Sequence, residues 1–229
     1  MSEKIISVII PAFNEEKSIG KVVTDIPKDI VKHVIVVNNN STDNTVEVAK
    51  KAGAIVLDEP RKGYGWACLK GIDKAYEHGT EIVVFLDGDY SDYPEEIKDV
   101  IAPILEQDMD MVIGSRVLGK REKGSLTPQQ VFGNWLATRL MRVFYRAKFT
   151  DLGPFRAIKA ESLKKLKMAD KTYGWTIEMQ IKAAKHNMKF CEVPVNYRKR
   201  IGVSKVSGTV KGTVLAGIKI IFAVFKYRF

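Results

Sequence analysis

Short apolar runs recur along the first half of the chain, separated by stretches in which apolar residues return every three or four positions. The runs Ile5 to Ile10, His33 to Val37, Ala54 to Leu57, Glu81 to Leu86 and Met109 to Ile113 read as strands. Between them, Lys17 to Asp25, Asn44 to Lys51, Gly65 to Glu77 and Pro94 to Glu106 carry the helical period. Strands this apolar need cover on both faces, so the pattern predicts successive β-α units: an α/β fold with a mostly parallel sheet between helical layers. Asp92-Tyr93-Pro94-Glu95 offers a capping carboxylate and a proline in the first turn, which predicts a helix start there. In open α/β sheets ligands gather at the carboxyl ends of strands, which singles out the residues just after Ile10, Val37, Leu86 and Ile113.

Past Arg116 the pattern changes. Leu118 to Pro128 is a Lys/Gly-rich loop, and Val131 to Tyr145 is a long amphipathic helix with Arg139, Arg142 and Arg146 at spacings of three and four. A basic stripe of that kind suits either a membrane interface or a solvated outer face. A strand at Pro154 to Ile158, a helix at Trp175 to Lys185 and a strand at Lys189 to Val195 follow. The last segment, Val210 to Phe225, is apolar apart from Lys211 and Lys219, too short and too charged to span a bilayer, and suits either a membrane surface or packing on the body or on a partner chain.

Composition removes several classes of protein. The chain has 229 residues, enough for one domain with a full core, and 45% apolar with 28% charged residues excludes disordered and collagen-like chains. Two cysteines, Cys68 and Cys191, without histidines at ligand spacing exclude a zinc cluster and read as buried thiols. No basic start leads into an apolar run with a cleavage site, so the expected chain starts at Met1 in the cytoplasm. No run of about 20 uncharged apolar residues predicts a bilayer-spanning helix.

The net charge of +10 is unevenly divided: residues 1–115 hold 12 basic and 21 acidic residues, and residues 116–229 hold 25 basic and 6 acidic. An anionic partner for the second half follows. Nucleic acid is disfavoured, because the basic tail lacks interleaved aromatics or a recognition module.

The candidate chemistry begins at Leu86-Asp87-Gly88-Asp89, where a buried strand ends in two carboxylates one residue apart. Such a pair can hold Mg²⁺ or Mn²⁺ whose remaining ligands are water and phosphate oxygens. Gly63-Tyr64-Gly65 follows Glu59-Pro60-Arg61-Lys62 instead of a strand and lacks a third glycine, so it fails as a dinucleotide fingerprint, and no P-loop sequence exists.

Taken together, Ile9-Ile10-Pro11-Ala12-Phe13-Asn14-Glu15-Glu16 after the first strand, Asn38-Asn39-Asn40-Ser41-Thr42-Asp43 after the second and Asp87-Gly88-Asp89 after the fourth resemble the family 2 glycosyltransferases of GT-A fold. Gly114-Ser115-Arg116, Gly153-Pro154-Phe155-Arg156 and Arg198 to Lys205 bring the chain nearest to the dolichyl-phosphate mannose synthase and polyprenyl-phosphate glucosyltransferase branch. The resemblance implies a three-layer α/β/α sandwich with C-terminal amphipathic helices. It divides the chain into a catalytic domain at 1–206, with a nucleotide- and metal-binding half at 1–115 and an acceptor half at 116–206, followed by a basic amphipathic helix at 207–229.

It also assigns residues. Pro11, Ala12, Asn14 and Glu15 would line the nucleotide pocket with Asp87, the Glu15 carboxylate meeting the ribose. Asn39 stands where the family usually has an Asp that accepts from the base, and an amide oxygen also accepts. Asp87, Asp89 and Ser91 would hold Mg²⁺ or Mn²⁺, Ser91 standing where relatives often have Gln and Asp92 where many have His. Arg116 and Arg156 would approach sugar and phosphates, and Arg198, Arg200, Ser204 and Lys205 would hold phosphate, a task suited to guanidinium forks.

The implied reaction is transfer of a hexosyl group, glucose or mannose, from a UDP- or GDP-sugar, by a single inverting attack at C1. The implied acceptor is a polyprenyl phosphate at the cytoplasmic membrane face, to which the protein would attach peripherally. An acceptor phosphate is already anionic near neutral pH, its second pKa being about 6, and needs no base. The alternative is a saccharide or other hydroxyl acceptor, which needs one; Glu178 and Asp151 are the acids of the second half placed to serve, whereas with a lipid-phosphate acceptor they would instead position Arg or Lys side chains.

Overall fold

The computed structural model describes residues 4–202, 217 and 222–227. Seven strands form one sheet: β1 (Ile6–Ala12), β2 (His33–Asn38), β3 (Ile55–Asp58), β4 (Ile82–Phe85), β5 (Met111–Ser115), β6 (Arg156–Lys159) and β7 (Phe190–Pro194). Their spatial order is β3-β2-β1-β4-β6-β5-β7. Every neighbouring pair is parallel except those made by β6, which runs antiparallel to β4 and β5. The expected α/β fold with a mostly parallel sheet is therefore present, and β6 supplies the exception that the apolar pattern does not reveal.

Alternation along the strands builds two cores. Ile9, Val83 and Phe85 point to one face, where α3 (Tyr64–Glu77), α5 (Pro128–Tyr145), α6 (Ala160–Leu166) and α7 (Trp175–Lys185) pack. Val8, Ile10, Ile82 and Val84 point to the other, against α1 (Ile19–Asp25), α2 (Thr45–Lys51) and α4 (Ile97–Glu106). This is the side-chain period of two that a strand imposes, and each fully buried Ile or Val contributes roughly 1.5–3 kcal/mol. Cys68 is buried in the first core and Cys191 is half-buried, both as free thiols.

Several boundaries differ from the sequence reading for local reasons. Asp92 does not cap a helix. The chain enters a short 3₁₀ turn at Pro94–Glu96 from Tyr93, with no side-chain cap, and Asp92 is buried. Helix α5 starts three residues early because Thr127 and Gln130 form a reciprocal capping box with Pro128 as first helical residue. Helix α6 follows β6 directly, and its seven uncapped residues are too few to carry a period.

Residues 222–226 are helical, and this end of the chain docks on the body. Ala223 and Val224 are buried, Phe225 meets Phe144 edge-on at 5.3 Å, and Lys185 donates to the Tyr227 carbonyl at 2.6 Å. The rest of Val210 to Phe225 except Gly217, and the candidate site residues Ser204 and Lys205, lie outside the described residues. Among the described residues no helix is long and apolar enough to cross a membrane.

Candidate active site

Strands β2 and β4 flank β1 on opposite sides, so the chain reverses its direction of build at β1, where a crevice opens beyond the carboxyl ends. A pocket of about 330 Å³ lies there. Pro11, Ala12, Phe13 and Glu15 reach it from the end of β1 and Asn39 from the end of β2. Lys62, Gly63, Tyr64 and Ala67 line it at the entry to α3, Asp87, Gly88 and Asp89 after β4, and Tyr173 and Arg200 from the second half.

The first-half wall is braced by its own side chains. The Glu15 N–H donates to the Thr45 hydroxyl at 2.8 Å, and its carboxylate accepts from the Ser18 hydroxyl at 3.0 Å. Asn14 does not line the pocket. It sits at φ 54° and joins the two loops, its N–H donating to Ser41 at 3.0 Å and its amide oxygen accepting from Thr42 N–H at 2.8 Å. Asn39 lines the pocket, but its amide is engaged: the NH₂ donates to the Glu59 and Arg61 carbonyls at 2.9 and 2.8 Å, and the oxygen accepts from Gly63 N–H at 2.8 Å. Asn39 therefore staples the 59–63 loop, and only the second lone pair of its oxygen is left for a base. In the same loop Glu59 is buried, and Arg61 donates to it through Nε at 2.7 Å, which with its charge holds the carboxyl down at about 2.

That loop delivers the residues the sequence reading passed over. Gly63, at φ +145°, and Gly65 let α3 begin hard against the 170–171 backbone: a Cβ at either position would fall 2.2 or 2.1 Å from a carbonyl oxygen. Tyr64 thereby reaches Asp87, donating to its carboxylate at 3.2 Å. The glycine pair just before a helical period was the available signal, and the dinucleotide template was the wrong one to hold it against.

Asp89 is 2% exposed, with one carboxylate oxygen accepting from the Ser91 N–H and hydroxyl at 2.9 and 2.5 Å. Its other oxygen is ion-paired with Arg200. Ser91 is fully buried and orients Asp89 rather than facing the pocket. Burial raises the Asp87 carboxyl, opposed by Arg200 and by the Tyr64 hydrogen bond. Burial, reinforced by Asp87, pushes Asp92 up to about 8.

The basic residues expected to meet sugar and phosphate divide sharply. Arg116 does not line the pocket: half-buried, it donates through Nε and Nη2 to both oxygens of Asp151 at 2.8 and 2.7 Å. Burial opposes its charge, and Asp151 more than restores it. Arg156 pairs in register with Phe85 and is fully buried, its guanidinium donating to the Thr176, Leu152 and Gly153 carbonyls. Burial lowers it to about 10. Arg198 lies between the rings of Tyr90 and Tyr93, 3.4 and 4.1 Å from their centroids, and donates to the Tyr90 and Asp92 carbonyls. Arg200 alone of these four lines the pocket.

Glu178 is likewise no pocket acid. It is fully buried and accepts from the Ala169 and Asp170 N–H groups at 2.9 and 2.7 Å and from the Tyr227 hydroxyl at 2.8 Å, with Lys182 ion-paired at 2.7 Å. Its work is to shape the 169–174 loop that carries Tyr173 and meets Gly63 and Gly65.

The sequence profile of Glycosyl transferase family 2 matches residues 7–167. The chain belongs to that family. This glycosyltransferase is 34% identical over 95% of its length to an uncharacterized protein of Methanocaldococcus jannaschii, covering 89% of it. It is 31% identical to the UDP-N-acetylglucosamine–dolichyl-phosphate N-acetylglucosaminyltransferase of Methanococcus voltae, over 85% of its own chain and 86% of the relative. To the undecaprenyl-phosphate mannosyltransferase of Micrococcus luteus it is 26% identical, over 92% and 90% of the two chains. Its fold superposes with a TM-score of 0.79 on glucosyl-3-phosphoglycerate synthase of Mycobacterium tuberculosis, solved with Mn²⁺, UDP and glucosyl-3-phosphoglycerate. That match covers 98% of this chain and 80% of the other at 22% identity. The GT-A fold expected from the resemblance is thus the fold of this glycosyltransferase.

The donor chemistry of the pocket fits a hard divalent ion. Asp87 and Asp89 bring two carboxylates to one wall, and Asp89 already meets a cationic group there in Arg200. Among the described residues no group of three or more His, Cys, Asp or Glu is arranged to hold a metal. An ion at this wall would complete its shell with water and donor phosphate.

Proposed function

We propose that this glycosyltransferase moves a hexosyl group, glucose or mannose, from a UDP- or GDP-sugar to a polyprenyl or dolichyl phosphate, with inversion at C1. The observation that carries the choice of acceptor is the fate of the second-half acids. Asp151 is committed to Arg116 and Glu178 to the 169–170 backbone, so neither is available to deprotonate a hydroxyl. A phosphate acceptor needs no such base. The Methanococcus dolichyl-phosphate N-acetylglucosaminyltransferase and the Micrococcus undecaprenyl-phosphate mannosyltransferase support the same reading.

The base and ribose would lie between Asn39 and Glu15, with the diphosphate toward Asp87, Asp89 and Arg200. Mg²⁺ or Mn²⁺ held by the two carboxylates would neutralise charge on the leaving diphosphate. The protein's own contribution is arrangement. Ser91 fixes the Asp89 carboxylate, Tyr64 orients Asp87, and the buried guanidinium of Arg156 offsets the concentration of carboxylates above it. Arg200 would meet phosphate oxygens as charge develops.

Peripheral attachment to the cytoplasmic face of a membrane belongs to this proposal. On α5 the exposed residues include Val131, Phe132 and Trp135, followed by Arg139 and Arg142, with Arg146 exposed just past the helix end. No acidic residue occurs from Lys123 to Thr150. Basic residues near an anionic leaflet contribute about 1 kcal/mol each. Sedimentation with anionic vesicles at low salt, released at high salt, is the expected result, and recovery in the supernatant at low salt counts against attachment.

A second reading keeps the donor and changes the acceptor to a hydroxyl. Its support is the fold likeness to a synthase solved with glucosyl-3-phosphoglycerate. A thermal-shift panel of UDP- and GDP-sugars with Mn²⁺, followed by transfer to polyprenyl phosphate or to soluble hydroxyl acceptors with the best donor, decides between them. Transfer only to a hydroxyl overturns the lipid-phosphate reading.

A further inference from the structure

Arg200 reaches Asp89 from a backbone strap laid over the carboxylate turn. The Arg198 N–H donates to the Ser91 carbonyl and the Ile201 N–H to the Asp89 carbonyl, both at 2.9 Å, so the strap is fixed on either side of Arg200. Arg198 adds its bonds to the Tyr90 and Asp92 carbonyls, and the Lys199 N–H donates to Glu122 at 2.9 Å. The Arg200 side chain, partly exposed, is the part of the strap that lines the pocket. The result is a carboxylate with one oxygen hydrogen-bonded to Ser91 and the other, which has no hydrogen-bond partner, ion-paired with Arg200. A cation arriving at Asp89 must displace Arg200, at a wall where the neighbouring Asp87 already feels the positive charges of Arg116 and Arg156.

We infer that Arg200 is a specificity-determining residue that excludes the bare divalent cation and admits the cation only together with a diphosphate. The argument is one of charge and geometry. A lone divalent ion would leave Arg200 without its partner beside a like charge, in a wall where burial weakens screening. A diphosphate brought by the same ion neutralises it and offers oxygens to which the displaced guanidinium can donate in a forked pair. Only a side-chain rotation is needed, because the strap's backbone bonds do not involve the Arg200 guanidinium. Arg200 thereby opposes one ligand and favours the other, which a merely structural residue does not do. The inference rests on reading the pocket as a nucleotide-sugar site.

The test is a Mn²⁺ titration followed by electron paramagnetic resonance, with and without UDP, on the full chain and on Arg200→Gln and Arg200→Lys. Arg200→Gln should bind Mn²⁺ alone about tenfold more tightly and UDP–Mn²⁺ about tenfold more weakly, a reversal equal to about 1.4 kcal/mol in each direction. Arg200→Lys, which keeps the charge, should stay near the parent in Mn²⁺ alone. Unchanged or weaker binding of bare Mn²⁺ by Arg200→Gln overturns the inference, and so does Arg200→Lys behaving like Arg200→Gln. Tighter bare Mn²⁺ in Arg200→Gln with no UDP binding by any of the three proteins keeps the competition at Asp89. That outcome overturns the nucleotide reading and, with it, the preference for a diphosphate.

Discussion

The two halves of this glycosyltransferase treat their charged side chains in opposite ways. Before residue 115, acids such as Glu15, Asp87 and Asp89 line the pocket, presented by the ends of β1 and β4. After it, three of the four arginines expected to face phosphate are turned inward: Arg116 to Asp151, Arg156 to three carbonyls, Arg198 to two carbonyls and two rings. An excess of basic residues in a sequence therefore does not measure the basic groups a ligand meets. Much of that charge holds the architecture that presents a few.

The sharpest way to break this contrast is at Asp89. Asp89→Ala should abolish sugar transfer, by at least about a hundredfold, while leaving the far-UV circular dichroism unchanged. Retained transfer, or full activity in EDTA, would remove Asp89 from the chemistry and the contrast with it.

The next largest effect should come from the inward-facing side. Asp151→Asn leaves the half-buried Arg116 without its carboxylate and should cost about 3 kcal/mol in urea unfolding. A loss of activity with unchanged stability would instead make this pair part of the working site.

The smallest effect, and the one that sharpens the comparison, concerns the Glu59–Arg61 pair that braces the first-half wall. In the folded chain Glu59 holds its charge down to about 2, whereas an unfolded Glu titrates near about 4.3. Its contribution is therefore present above about pH 4 and is lost as pH falls toward 2. Glu59→Gln should lower Tm by a few degrees at pH 7, with the difference from the parent shrinking as pH drops through that window. A difference independent of pH would mean that the carboxylate's charge is not what braces the loop.

Most of the architecture could be read from the chain because strands buried on both faces are mainly apolar runs, unbroken in β4 and interrupted only by small residues and a proline in β1 and β5. The antiparallel entry of β6 could not, since strand direction leaves no mark in a four-residue pattern. The motif Asp87-Gly88-Asp89 was legible because its chemistry is local, two carboxylates at a strand end. That Arg116 turns away from the pocket leaves no local mark, because its partner lies 35 residues away at Asp151, and neither does the place of Glu178, whose partners are backbone groups and Tyr227. Asn39 was placed correctly in the pocket wall, yet its engagement with the 59–63 loop depends on the fold bringing two loops together.

The docked end of the chain has a reach beyond its own length. Tyr227 donates to Glu178, Glu178 holds the Ala169 and Asp170 amides, and the 170–171 backbone is what Gly63 and Gly65 press against. The final turn thus acts as a keystone for the lip of the pocket, some 50 residues downstream of the loop it steadies. Anything that pulls on that turn, a bound surface or a neighbouring chain, pulls through Glu178 on the loop at the mouth of the pocket.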